Sequence, residues 1–195
     1  MAIFRPEEKK TSVGGFLGLM EVGIIGFKDR GGEFDWAPMF LEAELSIKGS
    51  EYSNTLALMG SFDKDTSGNI TGGSVLNRMY KLFDTIGCEA GLNVKGQFED
   101  EHGNQISDIA SYLNERFTTQ GEQYIAYLYK KKPKPGKKVY TEVYPKLWAN
   151  TAEGKAQAEQ DISWLKDKGY IKEADASDMP QKNDTQLADN ALANL

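Results

Sequence analysis

Along this chain the spacing of apolar residues changes period several times, and each change marks an element. Residues 16–28, FLGLMEVGIIGFK, read as a strand interrupted by glycines, and KDRGGEFD reads as the turn that ends it. From Phe40 to Lys48, Leu41, Ala43, Leu45 and Ile47 alternate with Glu42, Glu44, Ser46 and Lys48, the period of two that a half-buried strand imposes. Gly49 and Ser50 then turn the chain into YSNTLALMGSF, an antiparallel partner with Leu56 and Leu58 on its inner face. At Ser74 the period becomes helical. Val75, Met79, Leu82, Phe83 and Ile86 share one face, with Ser74 as N-cap and Gly87 as the stop. A second helix is expected over Ile106 to Phe117, capped by Ser107 or Asp108. EQYIAYLYKKKPKPGKKVYTEVYPKLW reads as a hairpin, and a last helix opens at Asn150 or Thr151, runs to about Lys168 and ends at Gly169.

The order is three strands, a helix, a helical insertion over about residues 89–121, two strands and a C-terminal helix over about 151–168. That predicts a mostly β fold with α additions (α+β), in the element order of a five-stranded OB-fold-like barrel. Residues 1–12 form a charged lead, 13–172 the domain, and 173–195, polar and net acidic, a flexible tail. No internal repeat is visible at this level.

Composition narrows the partners. A net charge of −6 means that the molecule as a whole is no polyanion binder, so local charge matters more than the sum. Cys88 is the single cysteine, which excludes an internal disulfide and fits a reducing compartment. The N-terminus lacks the apolar run of a signal peptide, and FLGLMEVGIIGF, broken by glycines and carrying Glu21, is too short to span a bilayer. A cytoplasmic protein without membrane contact is expected.

Two stretches invite chemistry. FDKDTSGNITGGSV places Asp63, Asp65, Ser67 and Asn69 at the first, third, fifth and seventh positions of a calcium loop, with Gly68 at the sixth. The twelfth position is Ser74 where a bidentate Glu belongs, and the segment before the loop is strand-like. A polar turn between two elements uses the same residues. Both readings stand at this level, with the turn preferred. For catalysis there is little: His102 is the only histidine, Cys88 reads as a small apolar residue, and neither a GxxxxGK[ST] loop nor a GxGxxG after a strand occurs. No enzyme activity and no cofactor are expected.

The hairpin is richer. Alternation puts Ile125, Tyr127 and Tyr129 on one face of its first strand, and Tyr140, Tyr144, Lys146 and Trp148 on one face of its second. Glu142 and Lys146 interleave with these rings, so the aromatic face is expected to stay partly exposed. The connection adds Lys130, Lys131, Lys132, Lys134, Lys137 and Lys138, stiffened by Pro133 and Pro135. Cations that follow phosphates beside rings that stack on bases are what a single strand needs. The competing reading makes the rings ordinary strand packing and the lysines a solvated tip.

KGSEYSNTLALMGSF, SVLNRMYKLFDTIG and YIAYLYKKKPKPGKKVYTEVYPKLW together resemble the phage-encoded single-stranded-DNA-binding proteins, over about residues 13–148. Leu76 to Gly87 and Tyr124 to Trp148 carry the likeness. The resemblance implies an OB-fold accessory of replication or recombination that coats single-stranded DNA in an infected cell without a cofactor. Joined to the pattern of the hairpin itself, it makes Tyr127, Tyr129, Tyr140, Tyr144 and Trp148 the stacking candidates and Lys130, Lys131, Lys132, Lys134, Lys137, Lys138 and Lys146 the phosphate contacts. It also implies that the acidic C-terminal tail recruits replication or recombination proteins, with Leu187, Ala191, Leu192 and Leu195 near helical spacing. The alternative is a structural or protein-interaction module of a virion or its assembly.

Overall fold

The computed structural model describes residues 16–175 and 177–178. Its framework is a five-stranded antiparallel sheet made of β1 (Gly18–Asp29), β2 (Met39–Ile47), β3 (Ser53–Gly60), β9 (Tyr124–Lys130) and β10 (Thr141–Ala149), in the order β10-β9-β1-β2-β3. Between β3 and β9 lie a short hairpin of β4 (Asp63–Lys64) and β5 (Ile70–Gly72), helix α1 (Ser74–Ile86), a small meander of β6 (Gly91–Leu92), β7 (Phe98–Glu99) and β8 (Gln105–Ile106), and helix α2 (Ile109–Phe117). Helix α3 (Ala152–Asp167) follows β10. The fold is α+β as the sequence predicts. The sheet, however, stays open: β3 and β10 approach one another without pairing.

That open seam is bridged by side chains of α1. Arg78 donates from Nη2 to the Met59 carbonyl of β3 at 3.1 Å, and the Thr85 hydroxyl lies 3.3 Å from the Leu147 carbonyl of β10. Carbonyls that a ladder would have satisfied are met from the helix instead.

The inner face of the sheet holds the main core. Val22, Ile24, Leu41, Leu45, Leu56, Leu58 and Leu128 pack there against Val75, Met79, Leu82 and Phe83 of α1 and Leu113 of α2. Strand β1 keeps its apolar side inward by a bulge: Ile24 pairs with Leu45 and Gly26 with Glu44, so Ile25 is the extra residue and is 49% exposed. The shift returns Phe27 to the core. β9 covers only Gly18 to Val22 of β1. Further along, Asn114 closes a pair of hydrogen bonds with the backbone of Phe27 (2.7 and 2.9 Å), and Thr119 accepts from the Ile24 amide at 2.8 Å. The insertion therefore covers the edge of β1 that the sheet leaves bare.

The helix expectations hold with altered caps. α1 starts at Ser74, but Gly73 occupies the cap position and no side chain caps it. α2 begins three residues later than expected, and of the two candidate caps it is Asp108 that accepts from the Ser111 amide. Thr151 caps α3 by accepting from the Gly154 amide. Among the described residues, no helix is long and apolar enough to cross a membrane.

One pattern went unseen in the sequence. Asp65-Thr-Ser-Gly-Asn69, Asn93-Val-Lys-Gly-Gln97 and Asp100-Glu-His-Gly-Asn104 fold as the same turn three times. In each, Oδ1 of the first residue accepts from the amides two and four residues on, at 2.8–3.1 Å, and the glycine takes φ +83, +83 and +79. A left-handed residue there closes the hairpin without a Cβ clash.

Candidate nucleic-acid interface

The outer face of β9 and β10 is where the sequence places most site residues. Alternation is as expected: Ile125, Tyr127 and Tyr129 share a face, and Tyr144 and Trp148 join them from β10. That face is covered by α3. Ala158 and Ile162 of the helix, and Ile171 beyond it, make with those residues a second core, joined by Leu19 and Leu165. Tyr127, Tyr129 and Trp148 are left 5%, 6% and 4% exposed, too little for any of them to offer a ring face as a stacking platform. The physical reason lies in α3, whose stripe of Ala158, Ile162 and Leu165 needs an apolar bed.

Polar atoms under the helix are matched. Asp161 accepts from Trp148 Nε1 at 2.9 Å, from Gln157 Nε2 at 2.7 Å and from Lys146 Nζ. Lys146 also sits 5.0 Å from the centre of the Trp148 ring, so it is bound into this clamp and not held out for a phosphate. Burial pushes the Asp161 carboxyl up; the bonds from Lys146, Trp148 and Gln157 outweigh that and hold it below its ordinary value. Glu173 is similar: burial raises it, yet the Tyr127 hydroxyl and Lys166 bring it down.

The loop between β9 and β10 rises beside α3 and leaves a groove of about 870 Å³. Its lining includes Tyr129, Tyr144 and Pro145 from the sheet, Lys131, Lys132 and Lys134 from the loop, and Trp164, Tyr170 and Lys172 from α3 and its exit. Arg78 reaches it from α1. Pro145 sits where β10 bulges, between Val143 paired to Leu128 and Leu147 paired to Ala126, and its missing N–H suits that break in the ladder.

Charge in the groove is positive but partly engaged. Lys131 Nζ lies 2.7 Å from Glu142 Oε2, a Coulombic contact without hydrogen-bond alignment to an enclosed oxygen. Lys132 pairs with Asp175 at 3.1 Å and Asp178 at 3.5 Å. Lys134, Lys137 and Lys138 form no ion pair among the described residues. The end of the domain and the first residues assigned to the tail lie against this loop: the Lys132 amide donates to the Lys172 carbonyl at 2.8 Å, and the Ala174 amide to the Lys130 carbonyl at 2.7 Å. The rest of the tail, with Leu187, Ala191, Leu192 and Leu195, lies outside the described residues.

The remaining candidates sort clearly. Tyr140 is 55% exposed on the loop but does not line the groove, whereas half-buried Tyr144 does. The groove aromatics that sequence reasoning missed are Trp164 and Tyr170; the available signal was an apolar stripe on the last helix that passes Trp164 by. Away from the hairpin, Arg30 is held by Glu33 (2.6 Å) and Glu42 (2.9 Å) over the Phe40 ring, and Lys48 pairs with Glu21, so the charge of both is matched by carboxylates. In the candidate calcium loop, Asp65 accepts from the Ser67 and Asn69 amides and from Asn69 Nδ2, and those bonds hold its carboxyl below the ordinary value. Asp63 and Ser67 belong to the same hairpin, whose form is that of the two turns at Asn93 and Asp100. The loop is thus built as a turn.

No protein-family model matches the chain, and no curated protein or solved structure matches it either.

Proposed function

We propose that the chain binds single-stranded DNA without sequence preference, along the groove between the lysine loop and α3. The observation that carries this reading is the meeting of Lys131, Lys132, Lys134, Lys172 and Arg78 with aromatic rings in one concave surface, against Glu142 as the one acidic lining residue among the described residues. An anionic backbone with flat bases matches both features; a duplex, whose bases are stacked on each other, matches only the charge. The strand order supports an OB-fold reading of the sheet: taken as five barrel strands it runs 5-4-1-2-3, with the third and fifth facing each other across the seam. The lysine loop is then the last loop of that fold, one of the two that flank its oligonucleotide face. In the wider reading the protein is a phage accessory of replication or recombination that works without a cofactor, and its C-terminal tail meets other replication proteins.

The outer face of β2 takes no part, since Glu42 and Glu44 line a shallow hollow there with Lys28 and Thr55. One observation favours the protein-interaction alternative. Phe34 and Trp36 are 38% and 60% exposed on the loop between β1 and β2, beside Glu33 and Asp35, where a nucleic acid would be repelled.

The test is fluorescence anisotropy with labelled oligo-dT at several salt concentrations, against duplex of equal length. Steeply salt-dependent, single-strand-selective binding is expected. Reversing two loop cations with K134E and K137E is expected to make the logarithmic salt slope shallower by about 1.4, at roughly 0.7 per single-strand phosphate. An unchanged slope and affinity would remove the lysine loop from the site.

A further inference from the structure

We propose that Trp164 and Tyr170, which close the groove from the end of α3, are its base-stacking residues, so that the site grips unpaired nucleobases and not the sugar-phosphate chain alone. This rests on the nucleic-acid reading of the groove and gives it a chemistry that the strands themselves do not provide. Most rings of β9 and β10 are covered: Tyr127, Tyr129 and Trp148 lie under the helix, and Tyr144, which lines the groove, is half-buried and stacked on Trp148 at 6.5 Å and 19°. Trp164 and Tyr170, by contrast, are 54% and 69% exposed while lying on one another at 5.6 Å between centroids and 30° between planes.

The pair is held in place from below. After α3 the chain reverses at Gly169, which takes φ +71, and the Tyr170 amide donates to the Leu165 carbonyl at 2.9 Å. The next residue, Ile171, turns inward and is 5% exposed in the second core. The turn thus buries the aliphatic residue and displays the aromatic one. The bond from the Lys132 amide to the Lys172 carbonyl then fixes this turn against the lysine wall. The backbone that carries the rings is therefore tied to the backbone that carries the cations before any ligand arrives, which lowers the ordering cost of binding. A π-face open to solvent beside fixed positive charge suits a ligand that carries apolar rings on an anionic chain, and stacking of that kind tolerates any base.

The experiment compares two probes of equal length, a labelled oligo-dT and an abasic strand that keeps every phosphate and lacks the bases. The full chain is measured beside the W164L/Y170L double variant, whose leucines keep an apolar side chain at each position and remove the rings; thermal melts confirm that it folds, and W164L alone serves if the double variant does not. The full chain is expected to prefer oligo-dT, and the variant to lose about tenfold or more of that affinity while its binding to the abasic strand stays the same. Tryptophan emission gives a second readout. Oligo-dT is expected to quench the full chain, the abasic strand is not, and W164L is expected to remove the quench. Equal losses on both probes, or no loss and no change in quenching, would overturn the stacking role while leaving the groove a phosphate site. Absence of any oligonucleotide binding by the full chain would instead overturn the reading beneath it.

Discussion

Asp161 is the residue on which the second core turns. It is the acceptor for the indole of Trp148, for Gln157 and for Lys146, and it lies on the helix while two of those donors lie on the strand. D161A would leave the Trp148 N–H, in a side chain 4% exposed, without a partner, at a cost of about 1–3 kcal/mol. A lowered thermal midpoint with a shifted tryptophan emission is the expected result. Acid acts on the same bond. Asp161 and Glu173 both titrate below their ordinary values in the folded protein, so their contribution is complete above the ordinary carboxylate range and is lost as pH falls through the folded pKa values. Stability is therefore expected to decline below about pH 4, with D161A showing a shallower decline. This clamp also explains why the site was only half legible in the sequence. Period two placed Tyr127, Tyr129 and Trp148 on the correct face, but nothing in their spacing says that a helix starting just beyond the strand folds back over that face. The charge of the loop was legible from its lysines, but the carboxylates that engage Lys131 and Lys132, at Glu142, Asp175 and Asp178, were not.

At the scale of elements, the junction between β10 and α3 sets the groove. A Cβ on Gly154 would lie 2.0 Å from the Ala149 carbonyl oxygen, so the first turn of the helix rests directly on the last residue of the strand. G154A must push the helix away, and an overpacking cost of about 1–3 kcal/mol is expected, read as a lower thermal midpoint; a variant as stable as the parent would disprove the close seat. Strand and helix identities were readable because their apolar periods are clean: among the described residues, the five long strands and three helices lie close to where the pattern puts them. The two-residue strands of the insertion were not, since two residues carry no period. Their turns were, had the glycine spacing been compared: the same D/N-x-x-G-N/Q run occurs at Asp65, Asn93 and Asp100. The repeated letters were polar and looked like loop composition, which hid a recurring geometry.

As a whole the molecule has two layers of unequal depth. The main core joins four of the long strands' inner faces and β10 to α1 and α2, whereas the second core rests on Ala158, Ile162 and Leu165 of a single amphipathic helix. Free energies of local opening follow such differences in buried apolar contact. Hydrogen exchange is therefore expected to release the α3 amides well before those of β1 and β2; equal protection would show that the two layers open as one. The acidic net charge is no obstacle to a focused basic groove, because screening at physiological ionic strength confines the influence of distant carboxylates to about 8 Å.

The bridged seam has a mechanical meaning. β9 and β10 are attached to the remainder of the sheet by the β1 ladder on one side and, on the other, by α1 through Arg78 and Thr85. Parting the sheet at this seam would break those two side-chain bonds, whereas parting it at the ladder would break the backbone pairing of five residues, Gly18 to Val22, so the seam is the weaker joint. Arg78 stands at both places, bonding the Met59 carbonyl and lining the groove, so the weaker joint of the sheet and the groove share one guanidinium.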